Sequence, residues 1–243
     1  LMILRALIRP PAADPADPRP GGRRRWRPLR RLAVWMRWFA LRVFVLMAML
    51  VGIYAFINPP TTLTIVGEAR KRPITPRVWV DLGDVSPQMR RAVVAAEDAN
   101  FCRHWGFDMD EIRRVVASGS SRGASTISQQ TAKNVFLWQG RSWPRKALET
   151  VFTPLIEAFW SKRRILEVYL NLAEFGPGVF GIGAAAREFY GTTPDRLDAV
   201  QAARLAAVLP SPKTRDPRQA SARSRSIADG AATIRRDGRA DCF

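Results

Sequence analysis

GASTISQQTAKN, residues 123–134, opens with hydroxyl side chains and continues into good helix formers. Ser125 or Thr126 can cap a helix start, and the pattern predicts a helix running to about Leu137. Gln130, Lys133 and Asn134 then stand at i, i+3 and i+4, on one helical face. A few residues on, Arg145, Lys146 and Glu149 repeat the arrangement, with Glu149 three and four positions after the two cations. Two readings stay open for these faces. They are ordinary solvated surfaces with intrahelical ion pairs, or they are a site for a diphosphate. In the second reading Arg and Lys neutralise phosphate charge while amides and hydroxyls bond its oxygens.

Helix signals continue on both sides. Ser86-Pro87 is a cap with Pro at the first helical position, followed by Met89, Val93 and Ala96. Asp108 with Glu111 precedes Ile112, Val115 and Val116, and Gly119 ends that helix. Ser142-Pro144 opens the next, which Pro154 is expected to kink. Ser161 opens one carrying Ile165, Leu166, Tyr169 and Leu170. A glycine-rich loop, Gly176–Gly183, leads into Ala184–Tyr190, and Asp198–Leu209 stops at Pro210. The best strand candidate is RVWVDL, residues 77–82. The polar stretch from Lys213 carries no clear assignment. The chain therefore reads as mainly α, with a mixed connector at 58–85 and a helical domain at 86–243.

Just before the capping residues lies EDANFCRHWGFD, residues 97–108. Glu97-Asp98 ends a helix whose preceding residues are apolar. A carboxylate in such a place has a raised pKa and suits general acid or base work. The alternative is a helix-end carboxylate bonded to backbone or to His104, the only histidine in the chain.

The N-terminus sets the setting. Residues 39–57, FALRVFVLMAMLVGIYAFI, contain one charge, Arg42, which can snorkel to the interface. Nineteen helical residues rise about 28 Å, enough for a bilayer core. With Trp38 at its edge, a transmembrane helix is expected over 38–57. A buried core helix and a cleaved signal peptide are the alternatives; Asn58-Pro59-Pro60 does not resemble a cleavage site. Half of the net charge of +18 lies here, with eleven Arg against two Asp in residues 1–42 and six Arg in Arg23–Arg31. By the positive-inside rule residues 1–37 form a basic cytoplasmic segment and the domain faces outward. Residues 10–22, rich in Pro, Ala and Gly, are expected to be disordered. A charge so placed points to a membrane and away from nucleic acid. No His or Cys cluster has metal-ligand spacing, so no metal ligands are assigned. A Cys102–Cys242 bridge is left open.

At these residues the sequence closely resembles the family 51 glycosyltransferases, the peptidoglycan transglycosylases of bacterial cell walls, in their monofunctional biosynthetic branch. The resemblance rests on Glu97-Asp98 with Phe101, His104, Gly106 and Asp108; on Gly123–Gln130 with Lys133-Asn134; on Arg145-Lys146 with Glu149; on Lys162, Arg163, Ile165–Glu167 and Tyr169–Asn171; and on Gly176–Ala186 with Phe189-Tyr190. Ala124 stands where many members have a second Gly. The resemblance implies a lysozyme-like α fold and polymerisation of lipid II through β-1,4 bonds, with inversion and release of undecaprenyl diphosphate. It implies Glu97 as general base, Glu149 as second essential carboxylate, and Lys133, Arg145 and Lys146 on the diphosphate. Asp98, Phe101, His104, Ser125, Thr126, Gln129, Gln130, Asn134 and Asn171 are expected at the substrate. No cofactor is required, while a divalent cation (Mg or Mn) at the diphosphate is admitted.

The expected partners are lipid II, lipid-linked nascent glycan and the membrane, with other cell-wall synthesis or division proteins left open. The resemblance also places the chain in the cell inner membrane, single-pass, with a periplasmic catalytic domain. No Lys has a Ser three residues before it, so a polymerase without cross-linking activity is expected. Two rivals remain: a lytic enzyme of lysozyme-like fold, and a non-catalytic cell-wall scaffold. The cluster of Lys133, Arg145 and Lys146 has no obvious use in cleaving a neutral glycan.

Overall fold

The computed structural model describes residues 27–119, 123–140 and 142–243. The expected disorder at 10–22, and the basic segment before residue 27, lie outside the described residues. The chain divides into two units, residues 1–50 and 51–243.

In the first unit the described residues form a single helix, α1, which starts at Arg27 and runs on to Tyr54. It begins earlier and ends sooner than the expected 38–57. Its apolar window is 6% buried, which removes the core-helix alternative and fits a membrane anchor.

The second unit is almost entirely helical. Its helices are α2 (Leu63–Ala69), α3 (Pro87–Glu97), α4 (Met109–Ser118), α5 (Ile127–Phe136), α6 (Trp143–Phe159), α7 (Lys162–Leu172), α8 (Ile182–Tyr190), α9 (Ala199–Val208) and α10 (Ala222–Arg236). Most begin where a side-chain oxygen meets an orphan N–H. Ser86, Asp108, Thr126, Ser142, Ser161, Asp198 and Ser221 each accept from a backbone amide two or three residues on. Each such cap is worth about 1 kcal/mol. At the ambiguous Ser125-Thr126 pair it is Thr126 that caps, in a box with Gln129.

Two expectations change. Residues 58–85 belong to this unit and hold α2 and a 3-10 turn at Leu82–Asp84. Residues 77–82 do not form a strand, because their backbone partner is a side chain. Asn171 on α7 accepts from Val80 N at 2.9 Å and donates to Val80 O at 2.8 Å, doing the work of a neighbouring strand. The only sheet among the described residues is a two-stranded hairpin inside the glycine-rich loop, β1 (Glu174–Gly176) against β2 (Val179–Phe180), antiparallel with Glu174 opposite Phe180. α6 runs from Trp143 to Phe159 with Pro154 inside it.

Two packing groups make the core. α5 lies between α6 and α7; α3, α9 and α10 pack against one another. Met89, Phe101, Ile127, Ile165, Leu166, Tyr169 and Phe175 are fully or almost fully buried between and within these groups, and each large apolar side chain contributes about 2–3 kcal/mol on burial. α10 lies in the stretch left unassigned by sequence. The segment beyond it returns to the loop after α3, where Cys242 is bonded to Cys102 across 140 residues. Within the same unit Arg164 donates to the carbonyls of Tyr54 and Ile57, capping the chain that leaves α1.

Candidate active site

Glu97 is the last residue of α3. Its helix is apolar because it packs on α9 and α10, and that packing leaves the carboxylate 10% exposed. Burial pushes the Glu97 carboxyl above its ordinary range, and the Gln130 hydrogen bond and the charges of Arg223 and Lys133 partly offset this. Gln130 Nε2 donates to Glu97 Oε2 at 3.0 Å, and Tyr169 Oη donates to Gln130 Oε1 at 3.3 Å. The buried tyrosine hydroxyl thus fixes which way the Gln130 amide points.

Lys133 is one turn further along α5. Burial lowers its pKa; Glu149 and Glu97 act against that, while Arg145 and Lys146 add to it. Glu149 sits on α6, 3% exposed. Arg145 Nη1 meets its Oε2 at 2.7 Å, and Lys146 Nζ binds its Oε1. Lys146 Nζ also reaches Ser125 Oγ at 3.5 Å. A polar chain therefore runs from Glu97 through Gln130 and Ser125 to Lys146, Glu149 and Arg145, with Lys133 interacting with both carboxylates.

Two clefts meet here. One, of about 670 Å³, is lined by Gln130, Lys133, Asn134 and Trp138, with Glu68, Glu174 and Lys213 towards its other side. The second, of about 350 Å³, is lined by Glu97, Ser125, Asp108 and Arg239. The Glu97–Gln130 hydrogen bond joins a residue of one cleft to a residue of the other.

Several residues expected at the substrate are bonded or packed within the protein, Asp98 and Thr126 while also lining the second cleft. Phe101 and Asn171 have no exposed surface, which corrects their assignment as contact residues. Phe101 packs under Lys162 Nζ, 4.5 Å from its centroid, and Asn171 holds residue 80 as described. Asp98 and His104 form a 2.8 Å pair, and the other Asp98 oxygen accepts from Ile127 N at 2.9 Å. Asp98 thus ties the α3 loop to the start of α5. Thr126 and Gln129 are spent on their capping box, and Thr126 Oγ1 donates to Gly106 O at 2.6 Å. Gly106 has φ +85° and a Cβ there would meet Thr153 Cγ2 at 2.7 Å, so only glycine fits the approach. Glu97, Asp98, Ser125, Thr126, Gln130, Lys133 and Asn134 line the clefts, and Lys146, paired with Glu149 as Arg145 is, reaches them at Ser125.

Sequence reading did not find Arg223, whose Nη2 lies 3.4 Å from Glu97 Oε1. It also left Tyr169 out of the site. The tyrosine had a signal, a hydroxyl on an otherwise apolar helix face that needs a partner when buried. Arg223 had none.

A family model described as Transglycosylase matches residues 65–234. The chain is 53% identical to a biosynthetic peptidoglycan transglycosylase of Jannaschia sp. (strain CCS1), over 88% of this chain and 93% of the relative. The proteins of that name from Rhodospirillum centenum and Caulobacter vibrioides are 47% and 46% identical, covering 88% and 78% of this chain and 95% and 86% of their own length. With a match across more than half its length and relatives this similar over most of theirs, the chain belongs to the transglycosylase family.

Proposed function

We propose that this chain polymerises peptidoglycan glycan strands, transferring a growing lipid-linked glycan onto lipid II. The observation that carries the reading is the joint at Gln130. It couples a buried carboxylate on one cleft to the α5 face that carries Lys133 on the other. A two-substrate transfer needs room on both sides of its base, and a lipid diphosphate donor needs the cations.

Glu97 acts as general base. It takes the proton from the acceptor sugar hydroxyl as that oxygen attacks the anomeric carbon of the donor. The bond from that carbon to the diphosphate oxygen breaks, and its electron pair leaves with undecaprenyl diphosphate. Attack opposite an α leaving group gives the β-1,4 bond with inversion. Lys133, Arg145 and Lys146 stabilise charge growing on the leaving group. Glu149 keeps Arg145 and Lys146 in place, because its two oxygens hold one cation each. Ser125, Gln130 and Asn134 orient substrate groups in the clefts.

A Mg or Mn ion at the diphosphate has no ready protein cage. Both Glu149 oxygens are already neutralised, and the described residues contain no cluster of three carboxylate, His or Cys ligands. The three cations supply positive charge at that place themselves.

The protein works in the cell inner membrane, with α1 as a single-pass anchor, the N-terminus cytoplasmic and the domain in the periplasm. Six arginines in Arg23–Arg31 support the orientation. So does the Cys102–Cys242 bond, which belongs to an oxidising compartment. Other cell-wall synthesis or division proteins are candidate partners.

Purified full-length protein is incubated with labelled lipid II beside Glu97→Gln, and the products are separated on a gel. Long glycan from the native protein and none from the variant is the expected result. Untouched lipid II with shortening of preformed glycan would make the enzyme lytic. Polymer from both proteins would remove Glu97 from the base role.

A further inference from the structure

Glu97 is held from two directions, and only one belongs to the motifs that carry the family resemblance. Gln130 on α5 bonds Oε2; on the opposite side Arg223, in the first turn of α10, meets Oε1 at 3.4 Å and Ala96 O at 3.3 Å. Ala96 O is one of the orphan carbonyls at the end of α3, where a cation is doubly favoured, by the hydrogen bond and by the negative end of the helix. The guanidinium thus binds the helix end and its terminal carboxylate together.

The placement is built in. α10 packs along α3 so closely that a Cβ at Gly230 would sit 3.4 Å from Ala95 Cβ. Beyond α10 the chain is fixed to the loop after Glu97, by Arg239 on Ala99 O at 3.5 Å and by the Cys102–Cys242 bond. The C-terminal segment is therefore clamped on both sides of the carboxylate.

We infer that Arg223 is a positioning residue for Glu97, holding the carboxylate in register with the acceptor hydroxyl and keeping it ionised in its buried seat. This rests on the base role proposed above. Each carboxylate oxygen keeps a further lone pair after the Gln130 and Arg223 bonds, so proton acceptance stays open. The other charged or titratable groups facing Glu97 are Asp98 beside it, Lys133 on α5 and Tyr169 on α7. Across the cleft, Arg239 is paired with Asp237, and Arg114 with Glu111. Arg223 and Lys133 are thus the two cations acting on the carboxylate, and Lys133 faces the cluster around Glu149 as well.

The test compares native protein, Arg223→Gln and Arg223→Lys, full-length in detergent, by two readouts. The first is polymerisation rate against pH and lipid II concentration. The second is titration of the Glu97 carboxyl carbon by isotope-labelled NMR, assigned with Glu97→Gln. Arg223→Gln should lower kcat on the order of tenfold to a hundredfold with KM little changed. It should also move the acid limb of kcat/KM, and the Glu97 titration, to higher pH; Arg223→Lys should recover part of each. A lower rate with both the acid limb and the titration unmoved makes Arg223 merely structural and overturns the inference, as does an unchanged kcat. If native protein leaves lipid II unpolymerised, the proposed function fails. The titration then still decides whether Arg223 governs Glu97, and an unmoved titration overturns that too.

Discussion

The two buried carboxylates of the site are held in opposite ways. Glu149 has its counter-ions on its own helix, three and four residues back, so the triad Arg145, Lys146 and Glu149 is a local structure that needs only α6 to form. Glu97 depends on partners from three other elements: Gln130 on α5, Arg223 on α10 and, through Gln130, Tyr169 on α7. Glu149 is neutralised, and its charge is spent on ordering cations. Glu97 is under-compensated, and its burial leaves it a stronger base than an ordinary carboxylate. Structural and reactive carboxylates are thus distinguished by how completely their neighbours satisfy them.

Removing each in turn sharpens that contrast. Glu97→Gln should lower polymerisation by roughly a thousandfold, while thermal unfolding of the detergent-solubilised protein stays within a few degrees of native. Equal losses of activity and stability would make Glu97 a structural group. Glu149→Gln should do the reverse in stability. It leaves Arg145 buried beside an amide that offers one acceptor where two oxygens stood, at a cost of about 3 kcal/mol, read as a lower unfolding midpoint in denaturant along with weaker polymerisation. An unchanged midpoint would show that the triad is not a structural unit.

The wider scaffold of Glu97 can be cut covalently. Replacing Cys102 and Cys242 with Ser together opens a closure of 140 residues and should cost about 2–4 kcal/mol, measured by denaturation with and without reductant. The native protein should fall to the double variant's midpoint on reduction, and the variant should not respond.

The smallest effect is in pH. A raised Glu97 pKa means that the base is lost, as pH falls, at a higher pH than for an ordinary glutamate. A lowered Lys133 pKa means that its charge is lost, as pH rises, at a lower pH than for an ordinary lysine. The kcat/KM profile of native protein should therefore be a bell narrowed from both sides. An acid limb at the ordinary glutamate position would contradict the burial of Glu97.

The described relations divide by distance along the chain. Helix starts are local chemistry, an oxygen meeting an amide two or three residues away, so Ser86, Asp108, Ser142, Ser161 and Asp198 were legible in the sequence. So was the Glu149 triad, because α-helical spacing alone brings its members together. The apolar run of α1 declared itself by composition. The sequence could not show that residues 77–82 would find a side chain, Asn171, where a strand was expected. Nor could it show that Phe101 and Asn171 would be sealed in the core, or that Asp98 would spend its two oxygens on His104 and Ile127. Arg223 and Cys242 lie 126 and 140 residues from their partners. No periodicity spans such separations; only the packing of α10 on α3 brings them to the carboxylate.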